Sequence, residues 1–312
     1  MLTKERLLIL LKGYAMGMAD IVPGVSGGTV ALVTGIYDEL ISSISSVNKK
    51  FLSLVLHLKI KQAFEHVNGH FLLPLFIGIL TAIILMSRLM HFFMNEYALY
   101  TWSIFFGLIL ASIIYVARTI ESFFQVKNII IVVMGACFGY MVVTAIPVHT
   151  ANSTLMIFAS GAIAICAMIL PGISGSFILL ILGKYLFITS ALKNPFVMNN
   201  IITIGVFCGG CLVGLLTFSK ILNYLLKNYH RVMMAILTGF MIGSLRKIWP
   251  WREVVEQKII RGKVHILQDA IYFPNAMTTQ EIIAFVFMFS GVGLVFLIEK
   301  ISHHRRGVSS AG

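Results

Sequence analysis

Two stretches of the sequence match each other: ADIVPGVSGG at residues 19–28 and AMILPGISGS at residues 167–176. The match continues beyond them without a gap, so that Tyr37 aligns with Tyr185. Two unrelated apolar helices would not be expected to share proline, glycine, serine and tyrosine at fixed spacing. The pattern therefore indicates a duplicated site with the core Pro-Gly-x-Ser-Gly.

The composition places this site in a membrane. Of the 312 residues, 58% are hydrophobic and 12% are charged, and the mean hydropathy of +0.93 lies outside the range of soluble domains. The net charge of +12 comes from basic residues between the apolar runs, where they face lipid headgroups, so nucleic acid is not expected as a partner.

No metal or cofactor is expected, because no cluster of His, Asp or Glu has the spacing of metal ligands. We interpret Cys208 and Cys211 as packing residues.

Six segments are long and apolar enough to cross the ~30 Å core of a bilayer. The two motif regions differ from them, because shorter apolar arms flank each Pro-Gly break. We interpret each region as a re-entrant helical hairpin, over residues 4–47 and 154–192, broken at Pro23 and Pro171. The predicted spans are Phe71–Phe93, Ala98–Ala117, Ile129–Pro147, Asn200–Leu222, Val232–Ile248 and Ile282–Ile301.

An odd number of spans, three, separates the hairpins, so the second hairpin enters from the opposite side. The same holds in the alternative that each hairpin is two thin full spans, because two more crossings leave the parity unchanged. The sequence thus predicts an all-α polytopic membrane protein with an inverted-repeat transporter fold, in a single membrane domain. The first repeat is residues 1–148 and the inverted second repeat is residues 149–312. The distribution of Lys and Arg predicts cytoplasmic termini. The basic loop 249–279 does not fit this orientation, and Trp249 and Trp251 favour a partly helical segment on the outer leaflet.

The motif has the chemistry of an anion site. Each serine stands near the N-terminus of an outgoing half-helix, where unpaired N–H groups and the helix dipole attract negative charge. Opposed half-helices of this kind bind substrate in many secondary transporters. The alternative is that the breaks only shape a close helix crossing. The predicted binding residues are Gly24, Ser26, Gly27, Gly28, Thr29, Gly172, Ser174, Gly175 and Ser176.

Three basic residues are further candidates for binding an anion. Arg88 lies within a predicted span and Lys220 is its counterpart in the second half, so that each either pairs with the anion or extends to the membrane surface. Lys184 follows the second motif and is either a ligand or a lysine at its rim.

The two copies differ at one acidic position. Asp20 stands where the second copy has Met168. A carboxylate repels an anion unless protonation accompanies binding, so Asp20 is a candidate for proton coupling, with Glu39 as a further step. The alternative is that Asp20 caps the broken helix.

The runs KGYAMGMADIVPGVSGGTVALVTGIYDELI (12–41) and ILPGISGSFILLILGKY (169–185) resemble the two signature segments of the bacterial polyprenyl-phosphate transporter family. The resemblance implies transport of undecaprenyl phosphate, returned from the outer to the inner leaflet of the cytoplasmic (inner) membrane for cell-envelope synthesis. The lipid substrate and the bilayer are then the expected partners. The sequence does not decide between a monomer and a homo-oligomer.

Two other functions fit parts of the pattern. An inorganic-anion channel or exchanger would use the same half-helix site. An intramembrane serine protease is suggested by G-x-S-G, which occurs twice, but it needs a histidine base near the serine. The last predicted span, Ile282–Ile301, contains no histidine. A transporter is therefore favoured over an enzyme.

Overall fold

The computed structural model describes residues 4–22, 25–145, 150–194, 196–260 and 263–309. In these ranges the chain is mainly helical, with one two-stranded antiparallel β-hairpin. A short 3₁₀ helix, Leu245–Ile248, precedes the hairpin. The α-helices are α1 (Lys4–Ile21), α2 (Gly27–Val33), α3 (Tyr37–Ser45), α4 (Lys49–Leu56), α5 (Ile60–His66), α6 (Gly69–Glu96), α7 (Ala98–Thr119), α8 (Val126–Thr144), α9 (Thr154–Ile169), α10 (Gly175–Ile181), α11 (Tyr185–Lys193), α12 (Met198–Asn228), α13 (His230–Ser244) and α14 (Thr279–Ser309).

Five of the described helices are long and apolar enough to cross a bilayer, namely α6, α7, α8, α12 and the part of α14 up to Leu297. They are the helices of a polytopic membrane protein. The span predicted at Val232–Ile248 is shorter than expected, because α13 ends at Ser244 and only the 3₁₀ helix follows. The 15 residues of α13 extend over about 22 Å, less than the ~30 Å hydrocarbon core. Counting α10 and α11, which are bent by 116°, as one span brings the number to six.

The β-hairpin corrects two predictions, the partly helical loop 249–279 and the all-α fold. β1 (Arg252–Ile260) pairs antiparallel with β2 (Lys263–Ile271), from Arg252 opposite Ile271 to Ile260 opposite Lys263. Both strands are rich in valine and isoleucine. Branching at Cβ restricts these side chains in a helix and suits them to a strand. Arg252, Glu253, Glu256 and Lys258 of this loop lie in β1, and Lys263 and Asp269 lie in β2.

The chain divides into two compact units, and each unit combines segments from both halves of the sequence. Unit 1 consists of residues 1–87 and 147–234 and contains both copies of the motif. Within it, α12 packs along α9 and also contacts α3 and α11. The Cys211 thiol takes part in this packing, 3.4 Å from the carbonyl oxygen of Gly161. All four cysteines are free.

Unit 2 consists of residues 88–146 and 235–312, and in it α14 packs along α7. The 3₁₀ helix contacts α7 and α8. The Trp249 ring lies 5.2 Å from that of Phe106 and 5.6 Å from that of Trp251, measured between centroids. Trp251 is only 1% exposed, so it is a packing residue of this unit and not the interface anchor that the sequence suggested.

The motif regions repeat element by element within unit 1. In each copy a long helix, α1 or α9, is followed by a seven-residue helix and then by a nine-residue helix. The turns between the short helices contain Gly35 (φ 70°) and Gly183 (φ 66°), in the left-handed region that favours glycine. Each turn is closed by the same backbone bond, from Ile36 N to Ala31 O and from Lys184 N to Leu179 O. The duplicated sequence therefore folds into a duplicated backbone.

Candidate functional site

The break between α1 and α2 is held by two side chains of the first motif. Ser26 has extended backbone angles (φ −124°, ψ 135°) and caps α2, its Oγ accepting a hydrogen bond from Gly28 N at 3.1 Å. Asp20, at the end of α1, accepts a bond from Gly27 N at 2.7 Å. Both oxygens satisfy amides that a helix N-terminus leaves without an internal partner. Asp20 thus caps the broken helix in this conformation, as the alternative interpretation of this residue predicted.

Side chains of the first motif region also bond to the backbone of the second. Ser26 Oγ lies 3.1 Å from Met168 O and 3.3 Å from Leu170 O, so that its hydroxyl can donate to either carbonyl. Tyr37 donates its hydroxyl to Ile169 O at 3.3 Å. The carbonyls at the end of α9, which the break leaves without helical partners, are therefore satisfied by the other copy.

Two further contacts complete this junction. Thr29 Oγ1 accepts a hydrogen bond from Gly172 N at 3.0 Å. At Gly28 the backbone of the first copy approaches the second so closely that a Cβ would lie 2.6 Å from Ile169 O. Pro171, two residues after the end of α9, is also buried. The two copies form one continuous structure, which we call the motif junction: Asp20, Ser26–Thr29, Tyr37 and Met168–Ser176.

The second motif uses its serine differently. Ser174 also has extended backbone angles and precedes α10, but its side chain does not cap the helix. Its Oγ lies 2.7 Å from Ser176 Oγ. Ser174 is 8% exposed, whereas Ser176 is exposed. The Ser176 hydroxyl at the start of α10 is therefore accessible, while Ser26 is buried in the junction at 1% exposure.

Lys184 lies inside unit 1 with a side chain that is 0% exposed. Its Nζ donates to Thr150 O at 2.7 Å, Ala151 O at 2.8 Å and Asn152 Oδ1 at 2.6 Å. An ammonium group has three donors, and all three are used. In this conformation Lys184 connects the turn after α10 to the segment before α9, and it does not stand at an open rim.

The remaining candidates take no part in the hydrogen bonds described for the motif junction, or they lie outside the described residues. Lys220 is exposed on α12 and lines an open pocket in unit 1, described below. Arg88 is exposed on α6 and belongs to unit 2. Glu39 accepts a hydrogen bond from Asn68 Nδ2 at 2.9 Å. Pro23 and Gly24 lie outside the described residues.

Tyr37 is the residue of this site that sequence reasoning missed. It is 2% exposed and joins α3 to the end of α9. Its alignment with Tyr185 was the available signal, but a tyrosine in an apolar helix is common enough to be interpreted as core. The bonded partners could not be found at all, because Met168, Ile169 and Leu170 contribute only their backbone carbonyls.

Comparison with known proteins covers nearly the whole chain. A family model for undecaprenyl phosphate translocase-like proteins (VCA0040-like) matches residues 16–264, which include the motif junction. A polyprenyl-phosphate transporter of Vibrio cholerae serotype O1 is 41% identical over 305 residues, 96% of this chain and 97% of that protein. A polyprenyl-phosphate transporter of Staphylococcus aureus is 34% identical over 259 residues, 77% of this chain and 85% of that protein. No solved structure matches.

These matches confirm the resemblance found in the two signature segments and extend it over the five long apolar helices and their connections. The chain belongs to the undecaprenyl phosphate translocase-like (VCA0040-like) family.

Proposed function

We propose that this chain transports polyprenyl phosphate, with undecaprenyl phosphate as substrate, from the outer to the inner leaflet of the bacterial cytoplasmic membrane. The observation that carries the proposal is the motif junction, in which both copies of the duplicated motif meet within one unit of a polytopic membrane protein. The names of the two relatives support this substrate. The phosphate headgroup needs hydroxyl and N–H donors at membrane depth, while the isoprenoid tail stays in lipid.

The two motif regions are proposed to be re-entrant hairpins that enter from opposite faces of the membrane. Three long apolar helices, α6, α7 and α8, lie between them along the chain. An odd number of crossings supports an inverted repeat, with residues 1–148 and 149–312 as its halves. This arrangement gives each leaflet its own approach to the motif junction, as alternating access requires.

Phosphate is proposed to bind first at the start of α10, where the exposed Ser176 hydroxyl pairs with that of Ser174. The equivalent groups of the first copy are already hydrogen-bonded within the protein, because Ser26 contacts the α9 carbonyls and Gly27 N is bonded to Asp20. Binding by both copies therefore requires the bonds of the motif junction to open. Opening and closing of these bonds is the proposed step that moves the headgroup between the two faces.

Asp20 is the proposed site of proton coupling. Its carboxylate occupies the Gly27 N–H, which is the donor that a phosphate at the start of α2 would use. Two anions compete for one donor, so that phosphate binding there favours a protonated Asp20. Glu39, bonded to Asn68, is the proposed next group for this proton.

The three basic candidates are proposed to have different roles. Arg88 and Lys220, exposed on α6 and α12, attract the anionic headgroup toward the protein. Lys184 positions the start of α11 through its three hydrogen bonds and does not contact substrate in this conformation.

The substrate class is tested with the purified full-length chain in vesicles. Movement of labelled undecaprenyl phosphate between leaflets is measured beside uptake of inorganic phosphate and of chloride. We expect the chain to move the lipid, and neither free anion to enter faster than in protein-free vesicles. Uptake of a free anion without movement of the lipid would establish the inorganic-anion channel or exchanger instead.

A further inference from the structure

Unit 1 carries an open pocket of about 390 Å³ away from the glycine-rich breaks. It lies along the last turns of α12, beside the end of α3. Among the residues that the structure describes, its lining is polar and basic, without aspartate or glutamate. The lining includes Lys220, Asn223, Tyr224, Lys227, Ser45 and Asn48.

The two lysines share one face of α12. Lys220 and Lys227 are seven residues apart, which is two helical turns or about 10 Å along the axis. Both are exposed, and Asn223 and Tyr224 stand between them. Two ammonium groups with amide and phenol donors between them suit a ligand with several negatively charged oxygens, such as a phosphate monoester.

The opposite wall is held in place by a cap. Asn48 Oδ1 accepts hydrogen bonds from Lys50 N at 2.9 Å and Phe51 N at 3.1 Å and thereby starts α4. His66 Nε2 lies 3.2 Å from the same oxygen. These contacts fix the orientation of the Asn48 side chain and set the position of α4 beside the pocket.

The surroundings of the pocket are those of a membrane surface. The 31 residues of α12 extend over about 46 Å, more than a ~30 Å hydrocarbon core, and the lysines and asparagines near its C-terminus indicate that this end passes beyond the core. Directly after α12, His230 Nε2 lies 3.3 Å from Asp38 Oδ2 of α3, and both side chains are more than half exposed. Next to the polar wall, Ile221 is 51% exposed and Leu52 of α4 is 58% exposed. Charged donors bordered by exposed apolar side chains fit a lipid headgroup with its chain in the bilayer.

One helix connects this pocket with the motif junction. Tyr37, the first residue of α3, bonds to Ile169 O in the junction, and Ser45, the last residue, lines the pocket. The eight steps between them correspond to about 12 Å along the helix. A headgroup released from the junction, which has no basic residue, therefore finds a cationic site one short helix away.

We propose that this pocket is a second binding site for the phosphate monoester headgroup of a lipid, held by Lys220 and Lys227 at the membrane surface. This site extends the proposed transport function, on which it rests, because it binds the headgroup between the motif junction and the membrane–water boundary. Free phosphate has the same chemistry as the headgroup, but the exposed apolar side chains beside the pocket favour the lipid.

The test uses a polyprenyl phosphate with a photoreactive diazirine in the isoprene unit next to the phosphate. The full-length chain in vesicles is irradiated with this probe, and the labelled residues are identified by mass spectrometry. Label is expected on residues 219–228. The double variant K220Q/K227Q should carry roughly tenfold less label there, because each lysine supplies a charge-assisted hydrogen bond. The matched control K59Q/K61Q removes two exposed lysines that do not line the pocket and should label like the unsubstituted chain.

Competition distinguishes the two sources of phosphate. Unlabelled undecaprenyl phosphate should displace the label, and undecaprenol and inorganic phosphate at the same concentration should not. Equal displacement by inorganic phosphate would overturn the lipid assignment, and undiminished labelling of folded K220Q/K227Q would overturn the site. Melting temperature and gel filtration establish that the variants are folded. If the double variant is not folded, the single variants K220Q and K227Q are labelled instead. If the unsubstituted chain transports lipid but the pocket stays unlabelled, this inference fails alone; a labelled pocket without transport contradicts only the proposed function.

Discussion

Equivalent serines of the two motif copies have different partners, and their neighbours explain why. Two residues after Ser26 stands Gly28, whose amide Ser26 caps and whose missing side chain lets α2 approach α9. Two residues after Ser174 stands Ser176, which bonds to the Ser174 hydroxyl instead. The first serine therefore closes the motif junction, while in the second copy the Ser176 hydroxyl stays exposed at the proposed phosphate site.

Replacement of Gly28 by alanine should break the motif junction. The new Cβ would lie 2.6 Å from Ile169 O, which is backbone and cannot turn away. We expect the G28A variant to melt at a lower temperature and to lose lipid transport, with a destabilisation of about 1–3 kcal/mol, typical of forced overpacking.

Gly205 is the matched control for this substitution. It lies in α12, where a Cβ would have no other atom within 4 Å. The G205A variant should therefore be as stable as the original chain or more so, since alanine favours a helix over glycine by about 1 kcal/mol. Equal melting temperatures for G28A and the unsubstituted chain would refute the close approach.

Substitution of Asp20 by asparagine separates capping from coupling. The amide oxygen can still accept the bond from Gly27 N, so the D20N variant should keep its melting temperature. It cannot take up a proton, so its transport rate should no longer respond to an imposed pH gradient. The D38N variant, which changes an exposed acid of α3, should respond like the unsubstituted chain. A pH response retained in D20N excludes Asp20 as the coupling group.

At the scale of elements, the seven-residue helices α2 and α10 depend on contacts from outside, because isolated helices of this length are not stable in water. Both copies supply the same kind of contact at the end of the short helix. Lys12 Nζ donates to Thr34 O at 2.8 Å, and Thr150 Oγ1 donates to the equivalent Leu182 O at 2.6 Å. The position of the bond is the same in both copies although the side chain differs.

Lys184 should hold the second copy together. The K184M variant keeps much of the side-chain volume but leaves the carbonyls of Thr150 and Ala151 without this donor. We expect a loss of about 1–3 kcal/mol in unfolding free energy and faster hydrogen exchange in the turn 182–185. The K127M variant, which changes an exposed lysine of α8, should show neither effect. Unchanged exchange in K184M would mean that the three bonds do not restrain the turn.

Sequence reasoning was most successful where local chemistry decides the structure. The Pro-Gly-x-Ser-Gly pattern indicated the breaks, and α2 and α10 begin directly after Ser26 and Ser174. It failed for the loop 249–279, where Trp249 and Trp251 were given more weight than the valine and isoleucine content of β1 and β2, although that content is typical of strands. It also could not reveal the bonds across the motif junction, because backbone carbonyls have no signature in a sequence.

For the whole molecule, hydropathy located the long apolar helices, but it gave no information about which of them pack together. The sequence repeat divides the chain near residue 148, whereas each compact unit takes segments from both sides of that point. Packing of α9 against α12 in unit 1 and of α7 against α14 in unit 2 produces this division. Such contacts depend on which helix faces meet, and apolar helices in lipid present little pattern from which to predict it.

The central claim is that the two motif copies act together to move a polyprenyl phosphate. Its most direct measurement is the rate at which labelled undecaprenyl phosphate changes leaflet in vesicles containing the original chain, S26A, S174A/S176A or the control S190A. Ser190 lies in α11 and bonds only within that helix turn, to Phe187 O. We predict that S26A and S174A/S176A each slow the lipid by roughly tenfold or more, as loss of preorganised hydrogen-bond donors does at other sites, while S190A stays at the original rate. Original rates in both motif variants would contradict the account.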